Sequence, residues 1–151
     1  MNKRKIFLGS DHAGFKLKQK VIKYLSKKLN VDFLDLGNTK YQKNDDYPDY
    51  AFKVGKAVAK NKGSTGILIC GSSQGVAIAS NKIKEIRATP VFNSKQAKQV
   101  REHNDANVLC LSGWQTKEKD AEKIINTFLK TRFSKASRHK RRINKIKRLE
   151  N

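Results

Sequence analysis

Short apolar runs alternate along this chain with stretches whose apolar positions recur every three or four residues. Ile6–Gly9 reads as a buried strand that opens into Ser10-Asp11-His12. Behind it, Leu17, Val21, Leu25 and Leu29 recur at i, i+4 with lysines between them, which predicts a helix. Val31–Leu36 predicts a second strand, stopped by Gly37-Asn38, and Thr39–Asp46 a polar loop. Pro48 suits the first turn of a helix whose apolar face is Ala51, Val54, Ala57 and Val58. Gly66–Cys70 is apolar throughout, the pattern of a strand covered on both faces. The loop Gly71–Gly75 leads from it into a small-residue helix over Val76–Ile83.

The second half repeats the scheme. Ile86–Phe92 predicts a fourth strand, and Ser94–His103 a helix with Ser94 as its N-cap. Asn107–Leu111 is the fifth strand, followed by a helix from about Thr116 to Lys130 that carries Ala121, Ile124, Ile125, Phe128 and Leu129. A basic helix over about 137–149 places Ile143, Ile146 and Leu149 on one stripe. Five alternations of strand and helix predict an α/β fold, a three-layer α/β/α domain around a five-stranded parallel sheet, with residues 1–151 as a single domain. Ligands in such folds sit at the carboxyl ends of the strands. That rule selects Ser10–His12, Cys70–Gly75 and the exit of Asn107–Leu111.

Composition narrows the class. No apolar run approaches the roughly 18 residues of a membrane helix, and Ile6–Leu8 falls short of a signal peptide's apolar stretch, so a cytoplasmic protein is expected. Cys70 and Cys110 lack CxxC partners and the three histidines are far apart, so no metal site is expected. The formal charge is +21, from 34 Lys and Arg against 13 Asp and Glu. Most of the lysines are dispersed and match no nucleic-acid motif, which favours solvated helix faces over a polyanion surface.

The strongest chemical signal is the strand–Cys–Gly-Ser-Ser-Gln-Gly–helix segment. A glycine-rich turn before a helix gathers backbone N–H groups that can hold a phosphate or a transient oxyanion. It is neither GxGxxG nor a phosphate loop ending in Gly-Lys-Ser/Thr. Cys70 at its mouth has two open readings, a nucleophile or base favoured as thiolate by the amides, and a small buried residue. Cys110, inside an apolar strand, reads as core. Asp11-His12 and His103-Asn104-Asp105 fall at strand–helix junctions, which leaves two readings of each histidine open, a general acid or base and a structural or exposed side chain. Arg138 and Arg142, at i, i+4, share a helix face and could clamp a phosphate, or belong to a solvated basic tail.

The stretches GSDHAGF (9–15), DYPDYA (46–51), GILICGS…G (66–75), AIASNKI…IRA (77–88), EHNDANVLCL (102–111) and RHKRR (138–142) resemble the type B ribose-5-phosphate isomerases. These form a wider group with the galactose-6-phosphate isomerase subunits, and the match runs in register from about residue 4 to residue 149. The resemblance implies a Rossmann-like domain that forms a homodimer, or a tetramer, with shared active sites. It also implies a sugar-phosphate substrate, no metal or organic cofactor, and interconversion of ribose 5-phosphate and ribulose 5-phosphate in the pentose phosphate pathway. Cys70 occupies the position of the base that moves a proton through a cis-enediolate. Some members use a glutamate just after the loop, where this chain has Val76. Ser72 would shuttle protons between O1 and O2, and the amides of Gly71, Ser73, Gln74 and Gly75 would stabilise the enediolate. His103, from the partner subunit, would open the furanose ring with Asp11. Asn104, Tyr47 and His12 would line the substrate, and Arg138 and Arg142 would hold its phosphate.

Two departures accompany the resemblance. Ser73 stands where the family's loop usually has its middle glycine, and Trp114 where an arginine usually follows the fifth strand. They keep two alternatives open: an isomerase for another phosphosugar, such as a 6-phosphohexose, and a catalytically weakened derivative that binds nucleic acid.

Overall fold

The computed structural model describes residues 3–28 and 30–150. Its strands are β1 (Arg4–Ser10), β2 (Val31–Asp35), β3 (Thr65–Cys70), β4 (Ala88–Pro90) and β5 (Val108–Ser112). The helices are α1 (His12–Ser26), α2 (Tyr47–Lys60), α3 (Gln74–Ser80), α4 (Ser94–Asn104), α5 (Glu118–Lys130) and α6 (Ser137–Arg148). The five strands are all parallel, in the order β2-β1-β3-β5-β4. The predicted three-layer α/β/α class is the observed one.

Alternation along the strands builds the two outer layers. Ile67 and Ile69 of β3 project with Leu109 and Leu111 of β5 into a core closed by Leu17, Val21 and Leu25 of α1 and Ile124, Ile125 and Phe128 of α5. Leu68 and Cys70 project with Val108 and Cys110 to the other face, against Ala51, Val54 and Val58 of α2 and Val76 and Ala77 of α3. β3 is buried along its whole length, as its unbroken apolar run predicts. Burying one side chain such as Phe128 contributes about 1.5–3 kcal/mol. Gly14 lets α1 approach the sheet, because a Cβ there would lie 2.3 Å from the carbonyl oxygen of Ile69.

Several boundaries differ from expectation. β4 shrinks to Ala88–Pro90; Pro90 has no N–H to offer a ladder, and β4 is an edge strand. The N-cap of α4 is Asn93, whose side chain accepts from the N–H of Gln96, and Ser94 is the first helical residue. α3 starts at Gln74 and stops at Ser80, earlier at both ends than Val76–Ile83. α5 begins at Glu118, two residues after Thr116. On the last helix only Ile143 of the expected stripe is buried, while Ile146 and Leu149 are 51% and 88% exposed. Leu29 lies outside the described residues.

Strand order reverses between β1 and β3, whose following helices α1 and α3 pack on opposite faces of the sheet. A crevice opens at the carboxyl ends of the strands at such a point. The register pairs Ser10 with Ile69, so Asp11 and Cys70 leave their strands side by side.

Candidate active site

Cys70 ends β3, buried, with its backbone carbonyl accepting from the N–H of Gly113 at 2.8 Å. The carbonyl of Gly71 accepts from the Ser112 hydroxyl at 2.6 Å and from the N–H of Trp114 at 3.2 Å. The β5–α5 turn therefore straps the start of the loop in place. Aromatic rings rest on both of its glycines. A Cβ on Gly71 would lie 2.4 Å from Cζ2 of Trp114, and one on Gly75 would lie 2.7 Å from Cζ of Tyr47. With the rings where they are, a side chain at either position would have to displace the aromatic ring over it.

Between them, Ser73 has φ 69° and ψ −16°, the left-handed region, and is fully buried. A residue with a Cβ is strained in that region by about 1–2 kcal/mol. Its hydroxyl donates to the carbonyl of Ser72, and the Ser72 hydroxyl accepts from the N–H of Gln74 at 3.3 Å.

Asp11 caps α1 by accepting from the N–H of Gly14 at 3.1 Å. Burial raises its carboxyl above the ordinary carboxylate value, opposed by the Gly14 N–H and the charge of His12. Oδ1 of Asp45 lies 2.8 Å from both the backbone N and Nδ1 of His12. That hydrogen bond raises the imidazole's pKa above the ordinary value. The other oxygen of Asp45 accepts from Nδ2 of Asn38 at 3.1 Å. Sequence reasoning missed Asp45, in the polar loop, and Asn38 just before it, neither of which has motif spacing; only the fold brings Asp45 to His12 and Asn38 to Asp45. Ligand atoms of Asp11, His12 and Asp45 lie within 4.8 Å of one another, the one such group among the described residues. Nδ1 of His12 is already committed to Asp45, so the group is accounted for as a hydrogen-bonded cluster.

Cys110 is fully buried, and burial followed by the proximity of Cys70 pushes its thiol up. It is a core residue.

The remaining predicted residues lie elsewhere. His103 and Asn104 end α4, just before β5 begins, whereas Cys70 pairs with Ser112 where β5 ends. The carbonyl of Asn104 accepts from Nε of Arg87 at 3.0 Å, on the same amino-terminal side of the sheet. His103 stacks against His139 of α6, the helix that also presents Arg138 and Arg142 to solvent. Within one chain, Cys70, the loop, Asp11, His12 and Tyr47 form one group. His103, Asn104, Arg138 and Arg142 form a second, a strand length away.

Residues 6–146 match the family model described as Ribose/Galactose Isomerase. The chain is 46% identical over 142 residues to a probable ribose-5-phosphate isomerase B from Mycoplasma pneumoniae, covering 93% of this chain and 91% of that one. It is 36% identical over 143 residues to ribose-5-phosphate isomerase B from Mycobacterium tuberculosis, covering 95% and 88%. The crystal structure of ribose-5-phosphate isomerase B from Mycoplasma genitalium with bound ribulose-5-phosphate superposes with a TM-score of 0.94 at 43% identity, over 99% of this chain and 98% of that one. The type B enzyme of Trypanosoma brucei gives 0.92 at 38% identity, over 97% and 99%. The chain belongs to the ribose/galactose isomerase family, among its type B ribose-5-phosphate isomerases.

Proposed function

We propose that the protein interconverts ribose 5-phosphate and ribulose 5-phosphate, with Cys70 as the base. The observation that carries this reading is the position of Cys70. It ends β3 at the switch point, beside Asp11 and at the mouth of a loop pinned by Ser112, Trp114 and Tyr47. The Cys70 thiolate takes the proton from C2 of the open-chain aldose. The electron pair forms the C1–C2 double bond, and charge moves to O1 of the cis-enediolate. Loop amides of Gly71, Ser73, Gln74 and Gly75 stabilise that oxyanion, a kind of contact worth about 2.7–4 kcal/mol per donor. Ser72 carries the proton between O1 and O2, and the Cys70 thiol returns its proton to C1. Nothing is oxidised or reduced overall.

Ring opening and phosphate binding fall to the second group. In a homodimer with shared sites, His103 of one subunit works with Asp11 of the other, Asn104 joins His12 and Tyr47 around the substrate, and Arg138 and Arg142 hold the phosphate. This reading is supported by the strand-length gap between the two groups, which no side chain spans within one chain. The same reading takes residues 1–151 as one isomerase domain and needs no cofactor. No helix among the described residues is long and apolar enough to cross a membrane, in keeping with a cytoplasmic enzyme.

Purified protein is expected to bring ribose 5-phosphate to equilibrium with ribulose 5-phosphate. Cys70→Ala should lower kcat by at least about a hundredfold, the low end for a positioned base. An inert wild type, or a Cys70→Ala variant of unchanged kcat, rejects the assignment.

A further inference from the structure

Trp114 is the chain's sole tryptophan, and it is 74% exposed. An exposed indole forgoes the burial that makes aromatic residues useful in cores. Yet its backbone is pinned: its N–H donates to the carbonyl of Gly71, and that of Gly113 to the carbonyl of Cys70. A Cβ on Gly71 would lie 2.4, 2.5 and 2.8 Å from three successive atoms of the six-membered ring. Such near-equal distances belong to a point above the ring's face, not at its edge. The indole therefore roofs Gly71 and turns its other face and rim outward, next to the loop that follows Cys70.

We propose that Trp114 is a specificity-determining wall of the sugar-phosphate cleft, packing its exposed ring against the C–H groups of the substrate's carbon chain. The proposal rests on the isomerase reading above. A sugar that brings C1 and C2 to Cys70 must lie against whatever covers the adjacent Gly71, and here that is an apolar ring. Ligand pockets combine such apolar walls with a few convergent polar groups. Tyr47 supplies a matching wall on Gly75, at the other end of the loop. A ring at this place also limits the length of chain that fits, so Trp114 favours a five-carbon over a six-carbon phosphosugar. Pocket discrimination of one carbon reaches about 10–200-fold.

A sole tryptophan makes the test direct. Titrating wild type with ribose 5-phosphate should change the Trp114 emission and protect it from acrylamide, with a midpoint near KM. Trp114→Ala should raise KM about tenfold with kcat within about threefold, the mark of lost uniform binding. It should also lower the kcat/KM preference for ribose 5-phosphate over a six-carbon aldose 6-phosphate, and Trp114→Phe should restore most of both. Emission and acrylamide quenching unaltered by saturating ribose 5-phosphate in a protein that turns it over overturn the proposal and leave the isomerase reading intact. So does a Trp114→Ala variant with wild-type KM and preference. A wild type that neither turns over ribose 5-phosphate nor responds to it overturns both.

Discussion

The imidazoles of His103 and His139 stack where α4 meets α6, with ring centroids 4.5 Å apart and planes tilted by 36°. Nδ1 of His139 is 2.8 Å from the Ser134 hydroxyl. Burial, then Arg138, His103 and Arg142, hold His139 below the ordinary histidine value. The unfolded chain, with a histidine pKa near ~6.5, then binds the proton more readily than the folded one. Stability contributed by neutral His139 is present above that value and is lost as pH falls below it and through the lower folded one. Acidifying from about pH 7 to about pH 5 should lower Tm more in wild type than in His139→Gln. Parallel Tm curves for the two would reject a role for His139 as the acid-sensitive anchor of α6.

His12 has the opposite sign. Its hydrogen bond to Asp45 raises its folded pKa, so the stability it contributes is complete below the unfolded value of ~6.5 and is lost as pH rises through the folded one. In Asp45→Asn the imidazole should titrate at lower pH, read from its NMR chemical shift. An unmoved titration would mean that Asp45 does not govern His12.

How far the sequence shows this architecture depends on range. The β3 run and the glycine loop are local patterns, and Cys70 stands where they predict. Pro90 lies inside an apolar run that reads as a longer strand, yet edge position and a missing N–H cut β4 to three residues. The partner of His12 has no local signal, because Asp45 reaches that histidine, and Asn38 reaches Asp45, only after β2 docks beside β1. The resemblance implies that His103, from a partner subunit, and both arginines serve the site; within one chain all three lie at the other end of the sheet from Cys70, a separation that no local pattern shows.

Ser73→Gly tests the loop's strain. Relief of the left-handed serine, about 1–2 kcal/mol, is partly offset by the greater freedom of glycine in the unfolded chain. A gain of about 1 kcal/mol should raise Tm by about 2–4 °C. Isomerase activity should hold or rise, because φ 69° is kept at lower cost. A lower Tm would show that the Ser73–Ser72 hydrogen bond outweighs the strain.

Lys18 is fully buried, with Nζ 2.6 Å from both Oδ1 of Asp35 and the carbonyl of Asn38. The same Asp35 oxygen accepts from the N–H of Gly37 at 3.0 Å. Lys18→Met leaves these acceptors without their ammonium. Breaking a buried pair costs about 3–5 kcal/mol, and the partial exposure of Asp35 brings the expectation to about 2–3 kcal/mol. The double variant with Asp35→Asn should lose less than the sum of the singles, since each removes the same interaction. Urea midpoints measure all three, and strict additivity would deny the coupling.

Two variants mixed together would reveal shared sites where single variants cannot. Cys70→Ala damages the loop group, while Arg138→Ala with Arg142→Ala damages the group at the amino end of the sheet. In a homodimer, either variant alone would carry two broken sites. If the two subunits contribute opposite halves, a mixed dimer carries both lesions in one site and leaves the other intact. Random exchange of equal amounts makes half the dimers mixed, so activity should recover to about a quarter of wild type. If each chain completed its own site, every site in every dimer would hold one lesion, and mixing would restore nothing. Unfolding the two variants together and refolding them, beside each refolded alone, separates the cases. A mixture no more active than its parents would reject the shared site and leave Cys70, as base, to be judged on its own variant.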